Sequence, residues 1–324
     1  MDVLSDVLRS IRLSGALLFR AEFSAPWAVA APEASSAAAF LKSDATHLVL
    51  FHIIVEGSCW ARTEAGGCAD LNGGDIVVLC GGDAHVVGSG APERTARIQE
   101  LIAPPPWTES PQLRYGGGGG RTIMVCGFLH CDELLFHPLL RTLPKLLHVR
   151  TGQSADWVEA NLRYPLEEAR ASRPGSSSLL ARSAELLFLD VLRRYIAERR
   201  PEELGWLGAL RDPPVAKALE LLHAQPFTTW SVPLLARRVG VSRSVLADRF
   251  RIYLGQPPMH YLTRWRLQLG ARFLREDRES IAAIADRVGY ESERAFHRAF
   301  KRHTGVTPAA WRDAGRPRVE KAPE

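Results

Sequence analysis

One phrase occurs twice in the C-terminal third of this 324-residue chain, and it constrains the fold more than any other feature. The stretch "LARRVGVSRSVLADRFRIYLGQPP" at 235–258 aligns with "IADRVGYESERAFHRAFKRHTGVTP" at 284–308, with one inserted residue in the second copy. Identities fall on Ala236/Ala285, Arg238/Arg287, Val239/Val288, Gly240/Gly289, Ser242/Ser292, Phe250/Phe300, Gly255/Gly305 and Pro258/Pro308. Each copy parses as helix, tight turn, helix. Gly240 and Gly289 can take the positive φ that ends a helix, and Ser242 and Ser292 can cap the next one. Leu234, Leu235 and Val239, then Val245, Leu246, Arg249 and Phe250, recur at helical spacing and define a buried face. Ile281, Ile284 and Val288, then Ala295, Phe296, Ala299 and Phe300, do the same in the second copy. This is helix-turn-helix grammar.

What varies between the copies is the opposite face. Arg243, Ser244, Ala247, Asp248 and Arg251 in the first correspond to Glu293, Arg294, His297, Arg298 and Lys301 in the second. Constant cores with different outward residues suit two readers of one polymer; the plain alternative is a pair of solvated faces. Between the copies, Pro257 and Pro258 open a segment with no breaker except Gly270 until about Arg275. Such a helix is a strut of about 28 Å, comparable with the ~34 Å between successive turns of a DNA groove. Met259, Leu262, Trp265, Leu269 and Phe273 are expected on its packed side, with Arg264, Arg266 and Arg272 available to phosphates.

Charge agrees with a polyanion partner for this region. Residues 1–211 hold 21 Lys and Arg against 24 Asp and Glu, a net of −3, whereas residues 212–312 hold 17 against 9, a net of +8. The whole chain is 46% hydrophobic and 24% charged, as in globular proteins, and no apolar run approaches the ~20 residues that span a bilayer. The N-terminus places Asp2 and Asp6 ahead of a short apolar patch and lacks the layout of a secretory signal, so a cytoplasmic location without membrane contact is expected. Five cysteines without a CxxC pair argue against a disulfide framework and a zinc ribbon.

The first two hundred residues read differently. From about 10 to 130 the texture is β: "HLVLFHIIVEG" at 47–57 and "GDIVVLCGGDAH" at 74–85 are rich in Val, Ile and Leu and bounded by glycine. Side chains alternate along a strand, so Leu50, His52, Ile54 and Glu56 are expected on one face. Cys59, Cys68, Cys80, Cys126 and Cys131 read as buried apolar residues, or as oxidant sensors, above all in "CGFLHC" at 126–131. Five consecutive glycines at 116–120 have no GKS/T after them and read as flexible linker. Two amphipathic stretches within 151–204 form a helical bridge, the second with Leu180, Ala184, Leu187, Val191 and Tyr195 along one stripe that must pack on its own barrel or on a second copy. The hinge is expected at 200–214.

Residues 213–312 resemble the DNA-binding domain of AraC/XylS-type transcriptional regulators, above all in "ADRVGYESERAFHRAFKRHTGVTPAAWR" at 285–312. The resemblance implies two helix-turn-helix units on one long helix. It sets Ser244, Ala247 and Asp248, then Glu293, Arg294, His297 and Arg298, against bases, within a DNA-binding set that also holds Ser242, Arg243, Arg251, Ser292 and Lys301. "GDIVVLCGGDAH" resembles the second motif of the cupin barrel, which in such regulators is a sensor domain. Here Leu50 with His52, Cys80, and Ser89 stand where the metal-binding pattern has paired histidines, a proline and an asparagine. His52, Glu56 and His85 are therefore candidates to bind an effector, and no metal or cofactor is expected.

The expected fold class is α+β with two domains: an N-terminal cupin-like β-barrel with a helical bridge, and a C-terminal all-α double helix-turn-helix domain. Expected boundaries are a sensor domain at 1–150, a bridge at 151–204, a linker at 205–212, a DNA-binding domain at 213–312 and a disordered tail at 313–324. The expected function is sequence-specific transcriptional regulation in response to a small molecule or oxidant, with no enzyme activity. Promoter DNA, a second copy of the chain in a homodimer and RNA polymerase are the implied partners. The competing class is a metal-dependent cupin enzyme carrying a DNA-binding appendage, which lacks a full ligand set here.

Overall fold

The computed structural model describes residues 3–11, 14–41, 47–104, 107, 111–131, 143–150, 174–199 and 205–314. The first part of the expected bridge, at 151–173, and residues 315–324 of the expected tail lie outside them. The described residues form two compact units, one of 14–131, 143–150 and 174–199, the other of 3–11 and 205–314. Among them no helix is long and apolar enough to cross a membrane.

The first unit is two sheets. One has six strands in the order β11 (Leu146–Val149), β6 (Ile76–Leu79), β3 (His47–Glu56), β10 (Arg121–Cys131), β1 (Ser14–Ser24) and β9 (Gln112–Gly116). The other orders β5 (Cys68–Asn72), β4 (Ser58–Thr63), β7 (His85–Ser89), β2 (Trp27–Ala31) and β8 (Ala96–Arg97). Pairing is antiparallel except β1 with β9 and β2 with β8. The cupin-like layout holds, but as two packed sheets rather than a closed barrel. Side chains of both sheets, including Phe23, Trp27, Leu48, Ile54, Leu71, Leu79, Val87 and Met124, share one core. Helices α2 (Ala34–Phe40) and α3 (Ile98–Leu101) cover part of it.

Helix α4 (Ser176–Glu198) explains why "HLVLFHIIV" is a continuous apolar run. Phe51 and Ile53 of β3, with Ile76 and Val78 of β6, meet Ala184, Leu187, Phe188 and Val191 of α4 on the face away from the core. A strand buried on both faces loses the polar half of its alternation. The expected stripe of α4 is thus used within this unit. The pentaglycine is not a free linker: Gly117 and Gly119 donate to the carbonyls of Ser24 and Ala25, each at 2.8 Å, and a Cβ on Gly116 would lie 1.9 Å from the Ser24 oxygen. Glycine is there because backbone lies against backbone.

The second unit is helical: α1 (Val3–Ile11), α5 (Trp206–Ala209), α6 (Pro213–Ala224), α7 (Val232–Val239), α8 (Arg243–Leu254), α9 (Pro258–Glu276), α10 (Ile281–Arg287), α11 (Glu293–Thr304) and α12 (Pro308–Ala314). Two expectations are corrected. The segment 205–212 is packed core rather than linker, since Trp206, Leu207 and Ala209 are buried and the Asp212 carboxylate caps α6 at Val215 N, 3.1 Å away. Residues 3–11, expected in the sensor, group with this unit: α1 contacts α6 and α9, with Val3, Leu4 and Val7 buried.

Candidate nucleic-acid interface and effector pocket

Both repeats fold through the same local chemistry. Ser231 accepts from Leu234 N and opens α7, Gly240 closes it at φ 75°, and Ser242 accepts from Val245 N at 3.2 Å to open α8. In the second copy Ser280 caps Ala283, Gly289 takes φ 79°, and Ser292 accepts from Ala295 N at 3.2 Å to open α11. Each second helix is anchored by fully buried side chains, Leu246 and Phe250 in α8, Phe296 and Phe300 in α11.

The outward faces stand where the sequence puts them. Arg243, Ser244, Asp248 and Arg251 are exposed with Ala247 half-buried, and Glu293, Arg294, His297, Arg298 and Lys301 are all exposed. Asp248 and Arg251 pair at 3.0 Å, which neutralises part of the α8 face. No such pair with a described residue ties down Arg294, Arg298 or Lys301, so α11 presents the more cationic surface. Ser242 and Ser292 are helix caps, and Ser242 Oγ also lies 3.0 Å from Ser244 Oγ. Two members of the expected α8 core leave it. Val245 is 40% exposed, and Arg249 turns aside to donate to the buried Asp212 at 2.6 Å.

Helix α9 runs the expected nineteen residues and buries Leu262, Trp265, Leu269 and Phe273, with Met259 half-buried. Arg266 is not a spare phosphate ligand. Arg266 donates to the carbonyls of Pro226 at 2.7 Å and Thr228 at 2.9 Å, Arg272 lies near Glu276 at 3.6 Å and over the Phe273 ring, and Arg264 is half-buried. A guanidinium satisfied by backbone oxygens is a brace.

In the first unit a pocket, partly open to solvent, lies in the core. Phe19, Phe23, Phe40, Leu50, Val87 and Met124 form much of its wall, and His52, His85 and Cys126 bring the polar atoms. His52 Nε2 and His85 Nε2 are 2.8 Å apart, and His52 Nδ1 is 3.0 Å from Cys126 Sγ. Burial pushes the pKa of both histidines down, and for His52 the neighbouring His85 adds to the effect. Burial also pushes the Cys126 thiol up, and the Cys59 thiol up to about 12.

Glu56 is not part of this group. The pairing of β3 with β10 shifts between Ile54↔Met124 and Glu56↔Ile123, so a bulge at Val55 breaks the alternation that would have put Glu56 beside His52. Glu56 is exposed and lies 3.9 Å from Arg121. The donors left do not suit the divalent metal that the cupin resemblance raises. His52 and His85 oppose each other through Nε2, Cys126 sits at the other nitrogen of His52, and no group of three ligating residues converges among the described residues. Nor do the Cys59 and Cys126 thiols suit oxidant sensing, because a raised pKa withholds the reactive thiolate. Cys80 is buried, Cys68 is exposed, and the side chains of His130 and Cys131 lie outside the described residues.

Sequence reasoning missed Cys126 as a partner of His52, the Asp212–Arg249 pair and the Arg266 brace. Each joins residues 37 or more positions apart, and no local pattern announces it.

Known proteins agree with this architecture. A cupin family model matches residues 2–197, and a helix-turn-helix domain model matches residues 235–314. An AraC-like transcription regulator of Streptomyces antibioticus is 34% identical over 96% of this chain and 98% of its own length. The HTH-type transcriptional regulator AlkR of Acinetobacter baylyi is 28% identical over 96% of this chain and 99% of its own. The solved DNA-binding domain of AdpA, in complex with a target DNA, is 31% identical over 34% of this chain and 99% of that one, with a TM-score of 0.31. The chain belongs to the AraC-type transcription regulators, which join an N-terminal cupin-like ligand-binding domain to a DNA-binding helix-turn-helix domain.

Proposed function

We propose that α8 and α11 are the two recognition helices of a promoter-binding regulator and that a small molecule in the first unit's cavity sets its activity. One observation carries the reading: two serine-capped helices bury equivalent Leu/Phe and Phe/Phe anchors and expose unlike polar sets. Arg298 and Arg294 offer guanine a bidentate partner, Glu293 and Asp248 accept from a cytosine amino group, and Ala247 offers methyl contact to thymine. His297, Ser244, Arg243, Arg251 and Lys301 complete the polar surface. Ser242 and Ser292 sit at helix N-termini, where backbone N–H groups and the helix dipole favour phosphate. A homodimer through the outer side of α4 is supported by Leu179 and Leu186, both exposed and one heptad apart. The site of action is the cytoplasm, where promoter DNA is.

Selection of bound duplexes from random DNA with the full chain tests the proposal. Two unlike sequence elements about one helical turn apart are expected. Recovery without sequence enrichment would leave only a basic surface.

A further inference from the structure

The polar atoms of the cavity close on themselves. His85 Nδ1 lies 3.3 Å from the Asp83 carbonyl oxygen, and a carbonyl only accepts, so Nδ1 carries the proton. A neutral His85 then has an acceptor at Nε2, so His52 Nε2, 2.8 Å away, donates. A neutral His52 turns an acceptor Nδ1 toward Cys126, and the thiol donates across 3.0 Å. Burial, which keeps both imidazoles neutral and the thiol protonated, agrees with this assignment. The relay Cys126, His52, His85, Asp83 uses each of these protons once and offers no donor to a guest.

We infer that the cavity takes a neutral apolar ligand, a hydrocarbon or aromatic molecule without a charged head, seated against phenylalanines over a closed histidine floor. The inference rests on the reading of this unit as the sensor and gives its ligand a chemical class. A carboxylate or phosphate entering the cavity would lose its water and find no donor in exchange. A metal held between the two imidazoles would have to spread them, since tetrahedral bonds of about 2.0–2.1 Å set nitrogens roughly 3.3 Å apart, against the 2.8 Å found.

The neutral dye N-phenyl-1-naphthylamine, which brightens on burial, reads this out on the full chain. Dye uptake is expected, and Ala37→Phe, which projects from α2 into the cavity, is expected to lose it. Naphthalene should displace the dye at concentrations at least about tenfold lower than octanoate does, since the charged head forfeits its hydration. Cys126→Ala opens an acceptor at His52 Nδ1 and should improve displacement by 1-octanol severalfold relative to naphthalene. Cys126→Ser keeps a donor and should not. Octanoate displacing as well as naphthalene, or stoichiometric metal that His85→Gln abolishes, would overturn the apolar class and leave the sensor reading standing. No dye uptake by a preparation that still binds its selected DNA would overturn the sensor pocket itself.

Discussion

A Cβ on Gly289 would lie 3.2 Å from the guanidinium carbon of Arg266. Arg266 thus fastens the strut α9 to the loop before α7 through Pro226 and Thr228 and also fills the space beneath the second turn. Gly240, the equivalent turn residue of the first helix-turn-helix copy, has the same left-handed φ but open space around it. Gly240→Ala should cost about 1 kcal/mol, the left-handed strain alone. Gly289→Ala should cost about 2 kcal/mol, because the brace must also give way. Calorimetric melting of the full-length variants decides; equal losses would mean that Arg266 yields freely.

Arg298→Ala should lower affinity for selected DNA by about 1–3 kcal/mol while barely changing that for random duplex, since a bidentate guanine contact is lost. Lys301→Ala should weaken both alike and reduce the salt slope by about one. Salt titrations on both duplexes separate the two. Equal losses for Arg298→Ala would make it a phosphate contact only.

Asp212 joins two jobs, capping α6 and receiving Arg249 of α8. Asp212→Asn keeps an acceptor for Val215 N, whereas Asp212→Ala removes cap and pair together. The alanine variant should melt lower by an amount corresponding to about 1–2 kcal/mol, and the asparagine variant should fall between it and the parent. Coincident melting of all three would show that the segment 205–212 does not hold the helical unit.

His223 stacks on Trp265 with ring centroids 4.0 Å apart and meets the Tyr261 hydroxyl at 2.9 Å. Burial pushes its pKa from 6.5 down to about 3, and the Asp6 carboxylate at 3.9 Å does not offset that. The unfolded chain therefore takes up a proton below pH 6.5 that the folded chain refuses. Stability is complete above pH 6.5 and falls toward pH 3, by at most about 1.4 kcal/mol per pH unit for this group. His52 and His85, also depressed, add the same sign in the other unit. Melting temperature measured from pH 8 to 5 should drop below 6.5, less steeply in His223→Gln; an unchanged slope would contradict the assignment.

What the sequence disclosed was local. Gly240, Gly289, Ser242 and Ser292 announce turns and caps because a turn needs positive φ and a helix start needs an oxygen within three residues. The Phe250 and Phe300 anchors follow from helical period, and the β texture from apolar runs. Long-range features stayed hidden. The bulge at Val55 moves Glu56 off the His52 face, an error that pure alternation cannot detect. Cys126 reaches His52 across 74 residues, and α1 packs on helices more than 200 residues later in the chain. The expected linker at 205–212, GWLGALRD, carries two glycines, yet Trp206 is core. A fragment starting at 205 would lack α1, so the full chain is the right object for binding experiments.

The most direct test is a footprint of the full chain on its selected DNA, beside Arg298→Ala and Arg243→Ala. Two protected elements about one turn apart are expected, with Arg298→Ala erasing the element read by α11 and Arg243→Ala weakening the one read by α8. Protection of a single uninterrupted stretch, or loss of both elements together in either variant, would contradict two independent reading helices.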